Sequence, residues 1–206
     1  RDWSSDVCSS DLQGTYGDFA FDKGQWTFTQ NANAQTLAEG EKVTETLTVQ
    51  SWDRTATKTI EVTITGKNDI ASISGEATQL IGEDDGGGAS GTLSVSDVDR
   101  GEAVFSGATS STQGTYGDFK FDKGQWTFTQ NANAQTLAEG EKATETLTVK
   151  SLDGTATQDI VVTIKGANDT ASISGSATQS IDEDGGGASG TLDRKSTRLN
   201  SSHVKR

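Results

Sequence analysis

The sequence predicts an all-β protein made of tandem β-sandwich repeats, one complete and two partial. Residues 13–84 recur as residues 113–184, with 14 differences among 72 aligned positions. A period of about 100 residues is typical of an array of similar small domains rather than one large domain. Within each copy, short runs alternate apolar and polar residues, and turns containing Gly or Asp separate them. Such alternation, rich in Thr, Val, Ile and aromatic residues, is typical of half-buried strands.

The strands of the first copy follow in order from this alternation. The segment Asp22-Lys-Gly24 lies between two runs and predicts a hairpin with a three-residue connection, in which Gly has the left-handed conformation. Residues 31–42 are polar and predict a loop or one short helical turn, with Leu37 as its buried apolar plug. Trp26 and Trp126 each alternate with a Phe on one strand face, so we expect both in the core. The alternating runs are Phe19-Ala-Phe21, Trp26-Thr-Phe28, Leu47-Thr-Val49 and Ile60-Glu-Val-Thr-Ile64.

One complete repeat can be drawn at 70–169, and we expect it to fold alone as a two-sheet sandwich of immunoglobulin type. Residues 13–69 would be the C-terminal part of a preceding repeat, marginal by itself, and 170–193 the N-terminal part of the next. We place the boundary at 69/70 because the connection is shortest and charge clusters there; units starting at Gln13 and Gln113 are the alternative. The expected antiparallel strands are 71–80, 90–96, 103–107, 115–121, 125–130, 144–151 and 158–166.

The two ends of the chain break the repeat pattern. Residues 1–12 stop abruptly where the first copy begins, and residues 194–206 replace the continuation that follows Leu93 in the complete repeat. Both segments resemble translated sequencing-adapter read-through. We expect them to be foreign and disordered, and they are excluded from the fold prediction.

Without these ends the chain is strongly acidic. Residues 13–193 carry 11 Lys and Arg against 27 Asp and Glu, with no Cys, His, Pro or Met. Such a surface repels nucleic acid and anionic membranes, and no apolar run approaches the about 20 residues of a transmembrane helix. Without Cys or His there is no thiolate zinc site and no imidazole base. We therefore expect no enzyme, no nucleic-acid partner and no membrane insertion.

Acidic residues cluster in the expected loops. Because loops gather at the two ends of a sandwich, these carboxylates predict an oxygen-ligand site for Ca²⁺ at the connection between consecutive repeats. The clearest candidates are Asp69, Asp97, Asp99 and Asp153, and we expect Asn68 to contribute its carbonyl oxygen. The further candidates are Glu39, Glu41, Glu83, Glu139, Glu141, Asn168 and Asp169.

Ordered motifs along 13–193 resemble the VCBS repeat family. The resemblance implies immunoglobulin-like or cadherin-like tandem repeats of large bacterial surface or secreted proteins, often RTX-type adhesins. It implies an extracellular, calcium-binding extension module in cell adhesion or biofilm formation. The partners would be neighbouring repeats, with a cell-surface or matrix target bound by other parts of the parent protein. The motifs are Gly14-Thr-Tyr-Gly-Asp-Phe19, Gly24-Gln-Trp-Thr-Phe28, Gln35-Thr-Leu-Ala-Glu-Gly-Glu41, Gly66-Lys-Asn-Asp69 and Gly91-Thr-Leu-Ser-Val-Ser-Asp-Val-Asp99.

The similarity to cadherin calcium sites is partial. Gly66 stands where cadherin linkers usually have their first Asp. The Glu39/Glu41 pair is shifted by one residue from the Glu pair of the cadherin loop. Asp97 does not begin an EF-hand loop, because Glu102 occupies the position that requires Gly. Two alternatives stay open. The acidic residues could be ordinary solvated turns, or the chain could be a ligand- or carbohydrate-binding module of a secreted protein, with Trp52 marking its patch.

Overall fold

The computed structural model describes residues 12–22, 24–107 and 109–195, and this part of the chain is all-β, as predicted. Short 3₁₀-helical turns at Ala32–Thr36 and Ala132–Thr136 confirm the single helical turn expected in the polar loop. Across the described residues, no helix is long and apolar enough to cross a bilayer. The expectations for residues 1–11 and 196–206 lie outside the described residues. Leu12 and Arg194–Lys195, at the inner ends of the two excluded segments, lie in strands.

Two compact units can be distinguished. Among the described residues, unit 1 is drawn from 12–74, 94–106 and 150–157, and unit 2 from 75–93, 107–149 and 158–195. Four strands contain a boundary between the units, and each is described with the unit that holds most of its residues. The number of repeats, and their boundary at 69/70, stay predictions.

Unit 1 contains a three-stranded antiparallel sheet in the order β1-β2-β3 and the antiparallel hairpin β4-β5. Ala34, Leu37 and Ile64 form its buried core, so Leu37 is the plug that the sequence predicted. Phe28 of the first sheet, Val43 and Val62 of the hairpin, and Tyr16 in the bend before β2 pack on this core. The strands are β1 Leu12–Gln13, β2 Gly17–Asp22, β3 Gln25–Gln30, β4 Lys42–Gln50, β5 Thr57–Thr65 and β6 Ser72–Gly75.

Unit 2 repeats this scheme with more strands. One sheet holds β8, β11, β10 and β9 in that order, a second has the order β12-β13-β7, and β14 pairs with β15. The core draws on both larger sheets and includes Phe119, Phe121, Trp126, Phe128, Leu147, Ile160, Val162 and Ile164. The strands are β7 Thr78–Gly82, β8 Gly88–Ser96, β9 Thr109–Gln113, β10 Gly117–Asp122, β11 Gln125–Gln130, β12 Lys142–Lys150, β13 Thr157–Lys165, β14 Ser172–Gly175 and β15 Leu192–Lys195.

Two strand predictions were wrong. The run 71–80 is two strands, because the chain leaves β6 at Glu76 and then, as β7, pairs parallel with β13 rather than antiparallel. The run 103–107 holds only the isolated bridge between Phe105 and Ser151, and the next strand is β9. Residues 98–102 form a bend and a turn, so no strand continues directly from β8 into this run.

The hairpin predicted at the Asp-Lys-Gly segment is confirmed in both copies, but its loop has two residues rather than the three that the sequence predicted. In the second copy, Asp122 pairs with Gln125, so the loop consists of Lys123 at φ 48° and Gly124 at φ 91°. Positive φ at both loop residues is the two-residue turn that matches strand twist.

A different turn supplies a stability prediction. Arg54 adopts φ 56° where the second copy has Gly154 at φ 75°. A side chain is strained in this region, so Arg54→Gly is expected to stabilise unit 1 by about 0.5–1 kcal/mol. Chemical unfolding of the whole chain measures the change, and Gly154→Arg is the matched variant expected to destabilise. An Arg54→Gly chain less stable than the parent would contradict the assignment of strain to this residue.

The two Trp residues differ although their strands are nearly identical. Segments 17–30 and 117–130 differ only at residue 20 and its counterpart, yet Trp126 is 1% exposed and Trp26 is 47% exposed. In unit 2, β8 places Gly91 opposite Trp126, and the indole N–H donates to the Glu76 carbonyl at 2.8 Å. Among the described residues, β3 has no strand on its second edge. The core prediction is therefore confirmed for Trp126 and wrong for Trp26.

Candidate metal centre

Two turns of unit 1 bring acidic side chains together. Asp97 follows β8, Asp99 and Glu102 lie in the turn after it, and Asp153 lies in the turn between β12 and β13. Carboxylate oxygens of Asp97, Glu102 and Asp153 lie within 4.8 Å of one another. Asp99 is buried, and its charge acts on Glu102. These four residues are called the carboxylate cluster below.

Local hydrogen bonds fix the first turn of the cluster. The Asp99 N–H donates to Asp97 Oδ1 at 2.9 Å, and the Glu102 N–H donates to the Asp99 carbonyl at 3.2 Å. From the linker before β6, the Asp69 N–H donates to Asp99 Oδ2 at 2.8 Å. The other oxygens, Asp97 Oδ2, Asp99 Oδ1 and Glu102 Oε2, are buried and have no donor among the described residues. One carboxylate oxygen each of Asp97 and Asp99 therefore accepts a backbone N–H, whereas the second oxygen of each accepts no hydrogen bond from the described residues.

The second turn holds Asp153 firmly as an anion. Ser151 Oγ donates to Asp153 at 2.5 Å, the Thr155 N–H at 3.2 Å and the Asn68 amide at 3.1 Å. These hydrogen bonds, that of Ser151 first, hold the pKa of the Asp153 carboxyl well below its usual value of 3.8. Asp153 therefore keeps its negative charge beside the other carboxylates.

Glu102 shows the electrostatic cost of this arrangement. Burial raises the pKa of its carboxyl above the usual 4.5, and the charges of Asp99, Asp97 and Asp153 raise it further. Buried carboxylates without a partner are costly, and like charges at this separation repel each other. A cation among these oxygens would reverse both effects.

The donor set fits Ca²⁺. All the side chains offer carboxylate oxygen, which hard cations prefer, and neither thiolate nor imidazole is present in 13–193. Three of the oxygens accept no hydrogen bond from the described residues, so binding a cation there would break none of the hydrogen bonds that the structure shows. The cluster can therefore serve as a calcium site.

The linker between β5 and β6 is tied to both turns. The Asn68 amide bridges Asp153 Oδ2 and the Asp69 carbonyl, at 3.1 Å and 2.6 Å. The Ala71 N–H donates to Thr155 Oγ1 at 2.9 Å. The predicted pair Asn68 and Asp69 thus lies at the cluster. The Asn68 side-chain amide donates to Asp153, and the Asp69 backbone N–H donates to Asp99.

The two predicted Glu residues of the first copy, Glu39 and Glu41, make different interactions. Glu41 forms an ion pair with Arg100, and its other oxygen accepts the Ala38 N–H at 3.3 Å. The Arg100 N–H also donates to the Thr36 carbonyl at 3.0 Å. Glu39 is exposed and lies close enough to contribute to the raised pKa of Glu102. Glu41 therefore anchors the polar loop to the turn, a contact that sequence analysis did not find.

The remaining predicted residues belong to unit 2. Carboxylate oxygens of Glu83, Asp84 and Asp169 lie within 4.8 Å of one another. Glu83 is 1% exposed; its Oε1 accepts the Ala167 N–H at 2.5 Å, and its Oε2 has no donor in the described part of the chain. Three other predicted residues are not part of this group. Glu139 is exposed, and Glu141 accepts the Ala138 N–H at 2.8 Å. The Asn168 amide donates to the Asp169 carbonyl at 3.2 Å.

Sequence analysis missed two members of these groups. Glu102 and Asp84 belong to these groups but are not among the ligands that the sequence predicts. The signal for Glu102 is its place in the turn that begins at Asp97, directly after Gly101 at φ 89°. A Gly in the left-handed conformation lets the chain reverse within a few residues and return an acidic side chain towards the first.

Comparison of the chain with protein-family models and with curated proteins finds no match. The resemblance to VCBS repeats therefore depends on the ordered motifs alone and stays a prediction.

Proposed function

We propose that this chain is an extension segment of a large bacterial surface or secreted adhesin, in which calcium at the carboxylate cluster stiffens the connection between consecutive repeats. One observation carries the proposal: carboxylate oxygens of Asp97, Glu102 and Asp153 lie within 4.8 Å of one another where the linker meets two turns, and Asp97 and Glu102 each have a buried oxygen without a donor among the described residues.

The stiffening follows from how the linker is attached. The linker residues 66–71 join β5, in the partial repeat 13–69, to β6, in the repeat 70–169. Asn68 and Asp69 hydrogen-bond to Asp153 and Asp99, so the position of the linker depends on the order of the cluster. Without a cation, mutual repulsion loosens the turns that hold the linker. With calcium, shared coordination fixes both turns and the linker together.

The repetition of the chain also supports an extension role. Two copies that differ at 14 of 72 aligned positions supply the same scaffold twice, which suits a spacer. A rigid array of such repeats would hold an adhesive region of the parent protein away from the cell. The proposal accordingly places the chain outside the cell, with neighbouring repeats as its direct partners.

The second candidate function, carbohydrate binding, has one supporting observation. Trp52 is 86% exposed in the turn between β4 and β5, where the second copy has Leu152. An exposed Trp can stack on a sugar ring, but a single ring offers neither a groove nor convergent polar groups. Calcium stiffening involves more of the molecule and is the function that we favour.

Spin-label distances test the stiffening directly. In a Cys8→Ser chain carrying labels at Thr48→Cys and Thr129→Cys, the distance distribution is expected to be narrower with calcium than with chelator. Both label sites are exposed on strands, so the labels disturb no core. The same pair in Asp97→Asn/Glu102→Gln should show no narrowing, whereas Asp53→Asn, in the matching turn of the first copy, should behave as the parent. Equal widths with calcium and chelator in the parent would contradict the proposal.

A further inference from the structure

Unit 2 holds a second set of acidic side chains, separate from the carboxylate cluster. Carboxylate oxygens of Glu83, Asp84 and Asp169 lie within 4.8 Å of one another, and these three residues are called the Glu83 group below. Glu83 and Asp84 lie in the turn after β7, and Asp169 lies in the linker after β13. Because β7 and β13 pair in parallel, the turn and the linker leave the same end of two neighbouring strands.

Glu83 is the buried member of this group, and its carboxylate is only half satisfied. The residue is 1% exposed, and its Oε1 accepts the Ala167 N–H at 2.5 Å. Its Oε2 is buried and accepts no hydrogen bond from the described residues, and no Lys or Arg among them forms an ion pair with Glu83. A buried carboxylate without an opposite charge is costly, and two further carboxylates beside it add repulsion.

The surrounding backbone holds Glu83 in this buried position. The Glu83 N–H donates to the Lys165 carbonyl at 3.0 Å, and the Glu83 carbonyl accepts the Gln135 side-chain amide at 2.7 Å. The Gln130 side-chain amide donates to the Gly82 carbonyl at 2.9 Å. These partners lie in β13, in the helical turn Ala132–Thr136 and in β11, so several elements fix the turn that carries Glu83. The fold therefore retains a buried carboxylate oxygen that lacks a protein partner.

We propose that the Glu83 group binds a divalent cation, Ca²⁺ by its donor set, with Glu83, Asp84 and Asp169 as the protein ligands. Carboxylate oxygens are the ligands that hard cations prefer, and two oxygens bound to one Ca²⁺ are at most roughly 5 Å apart, which the group satisfies. The ion supplies the opposite charge that Glu83 lacks. Asp84 is exposed, so water can reach the remaining coordination positions.

A cation at the Glu83 group fastens the linker 166–171 to the turn after β7. Glu83 and Asp84 bind it from the turn, and Asp169 binds it from the linker. The inference is independent of the function proposed above, because its three ligands belong to unit 2 and the residues of the carboxylate cluster belong to unit 1. The second site can therefore be present even if the cluster binds no ion.

Paramagnetic Mn²⁺, which carboxylates also bind, locates the ion in the full chain. The chain carries Asp97→Asn/Glu102→Gln, so that binding at the carboxylate cluster does not contribute. We expect a small amount of Mn²⁺ to broaden the NMR signals of the Ala167 backbone amide and the Gln135 side-chain amide most strongly, because both donate to Glu83. Excess Ca²⁺ should restore both signals. Signals that Mn²⁺ does not broaden, or that Ca²⁺ does not restore, would overturn the proposal.

Glu83→Gln tests the buried ligand. Gln keeps the size of Glu83 and an oxygen for the Ala167 N–H, but it removes the charge. We expect it to weaken Mn²⁺ binding by about tenfold or more, because affinity follows the number of charged ligands. Unchanged broadening of the Ala167 signal in this variant would overturn the assignment of Glu83 as a ligand.

Asp84 and Asp85 offer a matched pair of surface variants. Both residues are exposed, but Asp84 alone of the two belongs to the Glu83 group. Asp84→Asn is expected to weaken Mn²⁺ binding, whereas Asp85→Asn removes the same charge one residue further on and should leave binding nearly unchanged. Asn keeps the oxygen type that accepts the Gly82 N–H from Asp85 at 2.5 Å. Equal weakening by the two variants would show diffuse attraction to an acidic surface and would overturn the site.

Discussion

Trp126→Ala is expected to destabilise unit 2 by about 3–5 kcal/mol, while Trp26→Ala costs unit 1 roughly half as much or less. The two side chains occupy equivalent positions in almost identical strands, so their difference isolates the effect of a covering strand. Chemical unfolding of each variant measures both values.

The expected difference follows from what each Trp loses. Trp126 is 1% exposed, stacks in a tilted arrangement 6.4 Å from Phe119, and donates its indole N–H to the Glu76 carbonyl. Its removal leaves a cavity beneath β8 and an unpaired carbonyl. Trp26 keeps the equivalent contact with Phe19 at 6.4 Å but is 47% exposed, so its truncation opens no closed cavity. Equal losses for the two variants would contradict the role given to β8.

Glu102→Gln is expected to stabilise unit 1 in chelator and to remove most of its stabilisation by calcium. In the parent chain, calcium at a hundred times its dissociation constant should add about 2.7 kcal/mol, because it binds the folded form alone. Gln keeps the size of Glu102 but not its charge, so it relieves the repulsion that calcium otherwise relieves. Thermal melting with and without calcium measures both effects.

The pH dependence gives the same prediction a definite sign. The pKa of Glu102 is raised above 4.5 by folding, so the folded state binds more protons than the unfolded state above that value. In chelator, stability should therefore fall as pH rises through the raised pKa. The lowered pKa of Asp153 acts oppositely, and its contribution is lost as pH falls below 3.8. Glu102→Gln should remove the first decline and leave the second; persistence of both in the variant would contradict the assignment.

Local patterns predicted the local structure well. The hairpin at Gly24 and Gly124, the helical turns and the burial of Leu37 all depend on neighbouring residues, which the sequence shows directly. The exposure of Trp26 depends instead on whether another strand covers its edge. The sequence of its own strand does not predict this exposure, since the strand of Trp126 has almost the same sequence.

The candidate site was predicted in part for a similar reason. Asp97, Asp99 and Asp153 follow strands, and strand ends gather at one end of a sandwich, so their proximity could be expected. Glu102 joins them through a turn whose shape depends on Gly101 and on backbone hydrogen bonds. The ion pair of Arg100 with Glu41 joins residues 59 positions apart, and no local pattern predicts which Glu it selects.

The central claim is that calcium binds the carboxylate cluster, and amide NMR signals of Asp69 and Asp99 report on it most directly. Both N–H groups donate to cluster carboxylates, so calcium should shift both signals saturably. Thr55 in the matching turn of the first copy, whose N–H donates to Asp53, should shift little. In Asp97→Asn/Glu102→Gln the two shifts should disappear. Signals that do not move with calcium in the parent, or that move equally in the double variant, would contradict a calcium site at this cluster.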